Sequence, residues 1–188
     1  MKTFEKSVDV AVPLQTAYNQ WTQFEEFPRF MEGVERIEQL DNRTTHWVTK
    51  IGGVEREFDA VIAVQEPDHI ITWNTTPDAG EQQAGRVTFE PIDPDHTRVT
   101  LVMGWEPQGA VEKAGGALGV VERRVEGDLK RFRSYVEERG TSSGAWRGRI
   151  EPGQEPSQEQ PEGQSGFTGP GQSQPGYGQM GEDRGTSL

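Results

Sequence analysis

Two hydrophobic rhythms divide this chain. From Gly33 to Trp105 apolar and polar residues alternate with a period of two, and from Ala110 to Arg139 apolar residues recur every three or four. The first rhythm predicts strands at Val34–Leu40, Thr44–Ile51, Val54–Gln65, His69–Thr75, Gly85–Ile92 and Thr97–Trp105. Asp41-Asn42, Gly52-Gly53, Pro67-Asp68, a loop around Pro77, Asp78 and Gly80, and Asp93-Pro94-Asp95 punctuate them. Six strands joined by short turns form an antiparallel meander. The second rhythm places Val111, Ala114, Leu118, Val121, Val125, Leu129, Phe132 and Val136 on one stripe of a helix. Pro107 and Gly109 precede it and Gly140 supplies its C-terminal cap. At 1.5 Å per residue that helix runs about 45 Å. A single apolar stripe cannot be buried alone, so the helix must lie across the sheet.

The start of the chain adds a seventh strand over Thr3–Ala11, then two short helices. Pro13 opens the first, which carries Leu14, Ala17, Tyr18 and Trp21. Thr22 and Glu25 have capping-box spacing for the second, which carries Phe24, Phe27, Phe30 and Met31 and is kept short by Pro28. The expected fold is α+β: a curved, seven-stranded antiparallel sheet around a long C-terminal helix, with two short helices after the first strand. The run Ala114-Gly115-Gly116-Ala117-Leu118-Gly119 allows two readings: a kinked first turn, or space left beneath the helix for a ligand by missing side chains.

Composition sets a boundary. Only 31% of the 188 residues are hydrophobic, and the deficit lies beyond Gly140, where Gly, Gln, Pro, Ser and Glu dominate. Such a stretch buries too little apolar surface to offset its ordering entropy. The expectation is one domain over residues 1–139 and a disordered tail over 140–188. Within the tail, Gly144-Ala145-Trp146-Arg147-Gly148 is the piece with the means to dock, and the tail could also contact an unidentified protein.

Charge and residue types exclude several chemistries. A net charge of −12 argues against nucleic acid and against anionic membrane surfaces. The chain has no apolar run long enough for a membrane span and no signal-peptide core near Met1, so a cytoplasmic protein is expected. No cysteine is present, which removes thiol nucleophiles and thiolate metal sites. His46, His69 and His96 are scattered and lack metal-ligand spacing, and no phosphate-loop, dinucleotide or nucleophile-elbow motif occurs. No cofactor and no metal are expected.

What remains is apolar space. Trp47, Phe58, Trp73, Phe89 and Trp105 sit in strands, with Leu101 and Met103 on the face shared with Trp105. Each aromatic is spent first on plain core, with contact to a ligand as the second reading. Phe27, Phe30 and Met31 lie where a short helix would close a cavity mouth. Thr49 shares parity with Trp47 and so points inward, and Gly116 and Leu118 line the helix side. Thr72 or Asn74 meets the cavity only if its strand slips by one residue. Arg56 and Asp59, of opposite parity, are expected on solvated faces.

Several segments carry a family likeness: Val12-Pro13-Leu14 with Ala17-Tyr18 and Trp21; Phe27-Pro28-Arg29-Phe30-Met31; Ile70-Ile71-Thr72-Trp73; and Gly127-Asp128-Leu129-Lys130-Arg131-Phe132. Together with the element order, these span nearly all of residues 1–139. They resemble the START-like (SRPBCC) superfamily with its helix-grip fold, and within it the polyketide cyclase/dehydrase and coenzyme-Q-binding branch. The resemblance implies an apolar tunnel for a lipid, an isoprenoid quinone or an aromatic polyketide. Members are carriers or aromatase/cyclases. Three functions follow: binding or transport of a hydrophobic small molecule; cyclisation or dehydration by buried polar residues; or a non-catalytic role with the cavity filled by the protein's own side chains.

Overall fold

A computed structural model of the chain describes residues 2–51, 53–79, 82–105, 117–154 and 157–158. The chain enters as β1 (Lys2–Val10), turns into α1 (Leu14–Trp21) and then a 3₁₀ helix (Phe24–Arg29). Six strands follow: β2 (Val34–Gln39), β3 (Thr44–Ile51), β4 (Val54–Glu66), β5 (Ile70–Thr75), β6 (Gln83–Asp93) and β7 (His96–Trp105). The long helix is α2 (Ala117–Arg139), and two short strands, β8 (Gly148–Arg149) and β9 (Ser157–Gln158), come after it. Residues 106–116, and with them the expected first turns of the helix and Gly116, lie outside the described residues.

The meander forms one antiparallel sheet in the order β1-β7-β6-β5-β4-β3-β2. Turn chemistry holds its register. Asp41 accepts backbone N–H bonds from Arg43 and Thr44, both at 2.7 Å, and Asp93 accepts one from Asp95 at 2.9 Å. Gly53 has φ +82° and Asp68 φ +61°, the left-handed region that tight turns require and that Gly and Asp tolerate. The sheet curls, and α2 lies across its concave face. Leu129, Phe132 and Val136 of the predicted stripe are fully buried there, together with Val10, Trp21, Ile71, Phe89 and Val99. Each such side chain contributes about 1.5–3 kcal/mol by leaving water. Gly140 ends the helix with φ +65°, its N–H bonded to the Val136 carbonyl at 3.0 Å.

Two expectations need correction. The Thr22–Glu25 capping box does not form. Thr22 Oγ1 donates back to the Asn19 carbonyl at 2.6 Å, while Glu25 accepts from the Gln39 backbone at 3.3 Å. The segment that follows is a 3₁₀ helix because Pro28 sits inside it and withholds a backbone donor.

The domain boundary at Gly140 is the second. Residues 143–150 pack as a strap along α1 and the far end of β4. Beyond Val61, β4 has lost its β3 partner, and Ile150 takes the place: Gln65 and Ile150 exchange two backbone bonds of 2.9 Å. Ile150 is 0% exposed. Arg147 grips both Asp68 oxygens at 3.0 and 2.7 Å, bonds Asn19 at 3.0 Å and covers the Tyr18 ring at 5.8 Å. The Gly144–Gly148 piece thus docks as it had the means to do, with Trp146 packed against the core and its backbone N–H bonded to Thr22 Oγ1 at 3.0 Å; Ile150, a lone apolar residue in a polar run, gave no such signal. Cutting the chain after Gly140 is therefore expected to lower the melting temperature, and Ile150→Ala to cost about 2–5 kcal/mol in a denaturant melt. Removing residues 159–188 takes away none of these contacts and is expected to leave the melt unchanged.

Candidate functional site

Between the inner face of the sheet and α2 a cavity of about 120 Å³ stays unfilled. β3 and β4 bring Trp47 and Phe58 directly opposite each other, and their rings stack at 6.0 Å with 8° between planes. The same two strands add Thr45, Ala60 and Ile62 to the lining. β5 contributes Ile71, Trp73 and Thr75; β6 contributes Gln83; β7 contributes Leu101 and Met103. Trp21, Phe24, Phe27 and Met31 close one end, and Val125, Asp128 and Leu129 of α2 form the roof.

The polar groups in this lining are few. Trp47 Nε1 donates to Thr45 Oγ1 at 2.9 Å, and Thr45 Oγ1 in turn reaches the Ala60 carbonyl at 3.3 Å. Thr75 Oγ1 accepts from the Gln83 backbone at 3.0 Å. Both threonines are thus tied to the sheet. The Gln83 side-chain amide has no partner among the described residues.

Among the described residues Asp128 is the one ionisable side chain in the lining, and it is buried at 9% exposure. Its Oδ1 accepts the Glu32 backbone N–H at 2.9 Å and a bond from the Arg131 guanidinium. Arg131 Nε also donates to the Phe30 carbonyl at 2.8 Å. Burial pushes the Asp128 carboxyl above its ordinary range, against the opposing pull of the Glu32 N–H, Arg131 and Arg124. The pair therefore clips the Phe30–Glu32 segment, the rim of the cavity, onto α2.

Of the residues expected at the site, Phe27, Met31, Trp47, Phe58, Trp73, Leu101 and Met103 come together around the cavity. Three do not. Phe30 turns to α2, with its ring 5.4 Å from Phe132 and 5.3 Å from Tyr135. Phe89 is plain core beneath α1, edge-on to Tyr18 at 5.5 Å and Trp21 at 6.1 Å. Thr49 does face inward, but it lies beyond the Trp47–Phe58 pair, where its hydroxyl donates to the Arg56 carbonyl at 3.3 Å. Arg56 shares the inner face with Phe58 by strand parity, contrary to expectation, while Asp59 lies on the outer face and meets His46 at 2.7 Å. Gly116 and the side chains of Trp105 and Leu118 lie outside the described residues.

Asp128 was missed at the sequence level although its position carried a signal. It stands three residues after Val125 and four before Phe132, which puts a carboxylate on the apolar stripe of the helix. Gln83, Thr45 and Thr75 carried no comparable signal. His46, His69 and His96 each pair with a nearby carboxylate, and no group of three or more His, Cys, Asp or Glu among the described residues could hold a metal ion. No helix among them is long and apolar enough to cross a membrane.

Residues 10–133, which is 124 of the 188, match the family described as polyketide cyclase / dehydrase and lipid transport. The chain belongs to this family. An uncharacterized 17.2 kDa protein of Streptomyces lincolnensis, from the melC2-rnhH intergenic region, is 53% identical over 151 residues, covering 80% of this chain and 99% of that one. Among solved structures, the Zhui aromatase/cyclase from Streptomyces sp. R1128 shares the fold at TM-score 0.64 and 17% identity, over 77% of this chain and 98% of that one. A START superfamily protein from Mycobacterium smegmatis does so at TM-score 0.54 and 20% identity, over 69% and 97%. Within the family's span lie every cavity residue and the Asp128 clip; the strap at 143–150 lies beyond it.

The raised Asp128 carboxyl makes a pH test. A group held above its unfolded value binds its proton more tightly when folded, so it adds stability at low pH and withdraws it as pH rises through the folded range. Asp128→Asn keeps a carbonyl acceptor but carries no charge. Urea melts across pH 4–8 are expected to show wild type gaining on Asp128→Asn as pH falls. A constant difference would show that burial of the charge has no energetic consequence.

Proposed function

We propose that the protein binds a small hydrophobic molecule in the space between sheet and α2. The observation that carries this reading is an unfilled cavity walled by Trp47, Phe58, Trp73, Phe24 and Phe27, with the Asp128 carboxyl and the Gln83 amide in its lining. Native interiors pack to crystal-like density, so side chains that leave such a space forgo dispersion contacts. A ligand restores them. Dry apolar cavities of about 150 Å³ accept a benzene ring, so a cavity of about 120 Å³ suits a single ring or a similarly compact apolar group. The family match supports the reading at the level of ligand class.

Native mass spectrometry of the purified protein, followed by solvent extraction, is expected to recover a hydrophobic molecule of low mass. Ala60→Phe, which projects a ring into the cavity, is expected to abolish its retention while the protein still melts cooperatively. Retention unchanged in that variant would place the molecule elsewhere.

A second reading is favoured by Asp128 itself. A carboxyl whose hold on its proton is strengthened by burial, beside a bound molecule, can move protons in a cyclisation or dehydration. Under this reading Asp128→Asn retains the ligand yet fails to convert a β-keto thioester that wild type turns over. Equal product profiles with and without wild-type protein would leave binding as the function.

A further inference from the structure

We propose that Gly85 sets the depth of the cavity, and through it the size of molecule the site accepts, by giving the Trp73 ring a place to lie down. The inference rests on the binding reading above. Trp73 on β5 and Gly85 on β6 are register partners. A Cβ built on Gly85 would stand 2.1 Å from Trp73 Cζ2, 2.3 Å from Cε2 and 2.8 Å from Cη2. Carbon atoms pack at about 3.5–4.0 Å. The benzo ring of Trp73 therefore occupies the volume that any side chain at position 85 would need, and it lies along the sheet instead of standing up into the cavity.

The backbone does not ask for glycine there. Among the described residues the positive-φ glycines are Gly33, Gly53, Gly140 and Gly153, and Gly85 is not one of them. Glycine inside a strand weakens it, since it adds chain entropy to the unfolded state and packs nothing. The residue that gains from the vacancy is Trp73, which lines the cavity while Gly85 beneath it is buried. Leu101 and Met103 on β7 continue the same floor, with Met103 paired to Gly85 from the other side. Any side chain at position 85 would have to push the indole off this floor, and the open direction is the cavity.

Four proteins and three probes test the idea: wild type, Gly85→Ala, Trp73→Leu and the double variant, each titrated with phenol, 1-naphthol and 1-hydroxypyrene, with a thermal melt for each. Wild type is expected to take the smaller probes and to discriminate against 1-hydroxypyrene. Gly85→Ala is expected to weaken binding of the preferred probe by about tenfold to a hundredfold, the scale of a lost fit in an apolar pocket. Trp73→Leu is expected to shift preference toward the larger probes, and in the double variant to recover what Gly85→Ala lost, because the leucine has no ring to displace. A folded Gly85→Ala with unchanged affinities overturns the inference. Should Gly85→Ala fail to fold, Trp73→Leu decides alone, and an unchanged size preference in it overturns the inference equally. Wild type that binds none of the three overturns the binding reading itself, and the inference falls with it.

Discussion

The architecture depends on one helix covering a curved sheet through a knot of aromatic rings. Trp21 sits at its centre, edge-on to Phe27 at 5.6 Å, Phe89 at 6.1 Å and Phe132 at 4.8 Å. Those four rings come from α1, the 3₁₀ helix, β6 and α2. α1, the 3₁₀ helix and α2 are thereby tied to the sheet through a single indole. Edge-to-face pairs of this kind add about 0.5–1.5 kcal/mol each beyond the area they bury. The knot fills one end of the concave face, and the cavity begins where it stops, at Phe27 and Trp21.

The rim of that cavity is held from two sides by polar bonds of different character. On one side Asp128 and Arg131 clip residues 30–32 to α2, and burial raises the carboxyl. On the other, Glu26 accepts from Ser143 at 2.6 Å, Gln20 at 2.8 Å and Tyr135 at 3.0 Å. Burial alone would raise Glu26, but these three donors outweigh it and its carboxyl lies below its ordinary range. The two acids therefore respond to pH with opposite sign: Glu26 withdraws stability as it is protonated, while Asp128 contributes it. Asp9, Asp41, Glu66, Asp93 and Glu126, all lowered by hydrogen-bonded partners, stand with Glu26. Asp128, the acid facing the cavity, stands apart from them.

Much of this was legible along the chain. Period-two alternation bounded by Asp, Asn, Gly and Pro turns located the strands of the meander, because a strand's side-chain period and a turn's backbone demands are local properties. The stripe through Leu129, Phe132 and Val136 located α2 for the same reason. Trp47, Phe58 and Trp73 were picked out as aromatics on strands, Leu101 and Met103 by the face they share with Trp105, and all five line the cavity. Parity could not say how far along the face the cavity extends. Thr49, Phe58 and Phe89 all point inward, yet only Phe58 reaches it.

By itself, the order of residues determined which segments are strands, which are helices and which faces are apolar, since these follow from contacts within a few positions. Only the tertiary structure decided which inward side chains are consumed by the Trp21 knot and which border empty space. It also decided that Ile150 would complete the ladder of β4, that Asp128 would face the cavity while clipping its rim, and that Trp73 would lie over Gly85. Each of these pairs residues between 12 and 96 positions apart. Their meeting depends on how the sheet curls and where α2 crosses it, a geometry set by the sum of many packing contacts and by no local pattern.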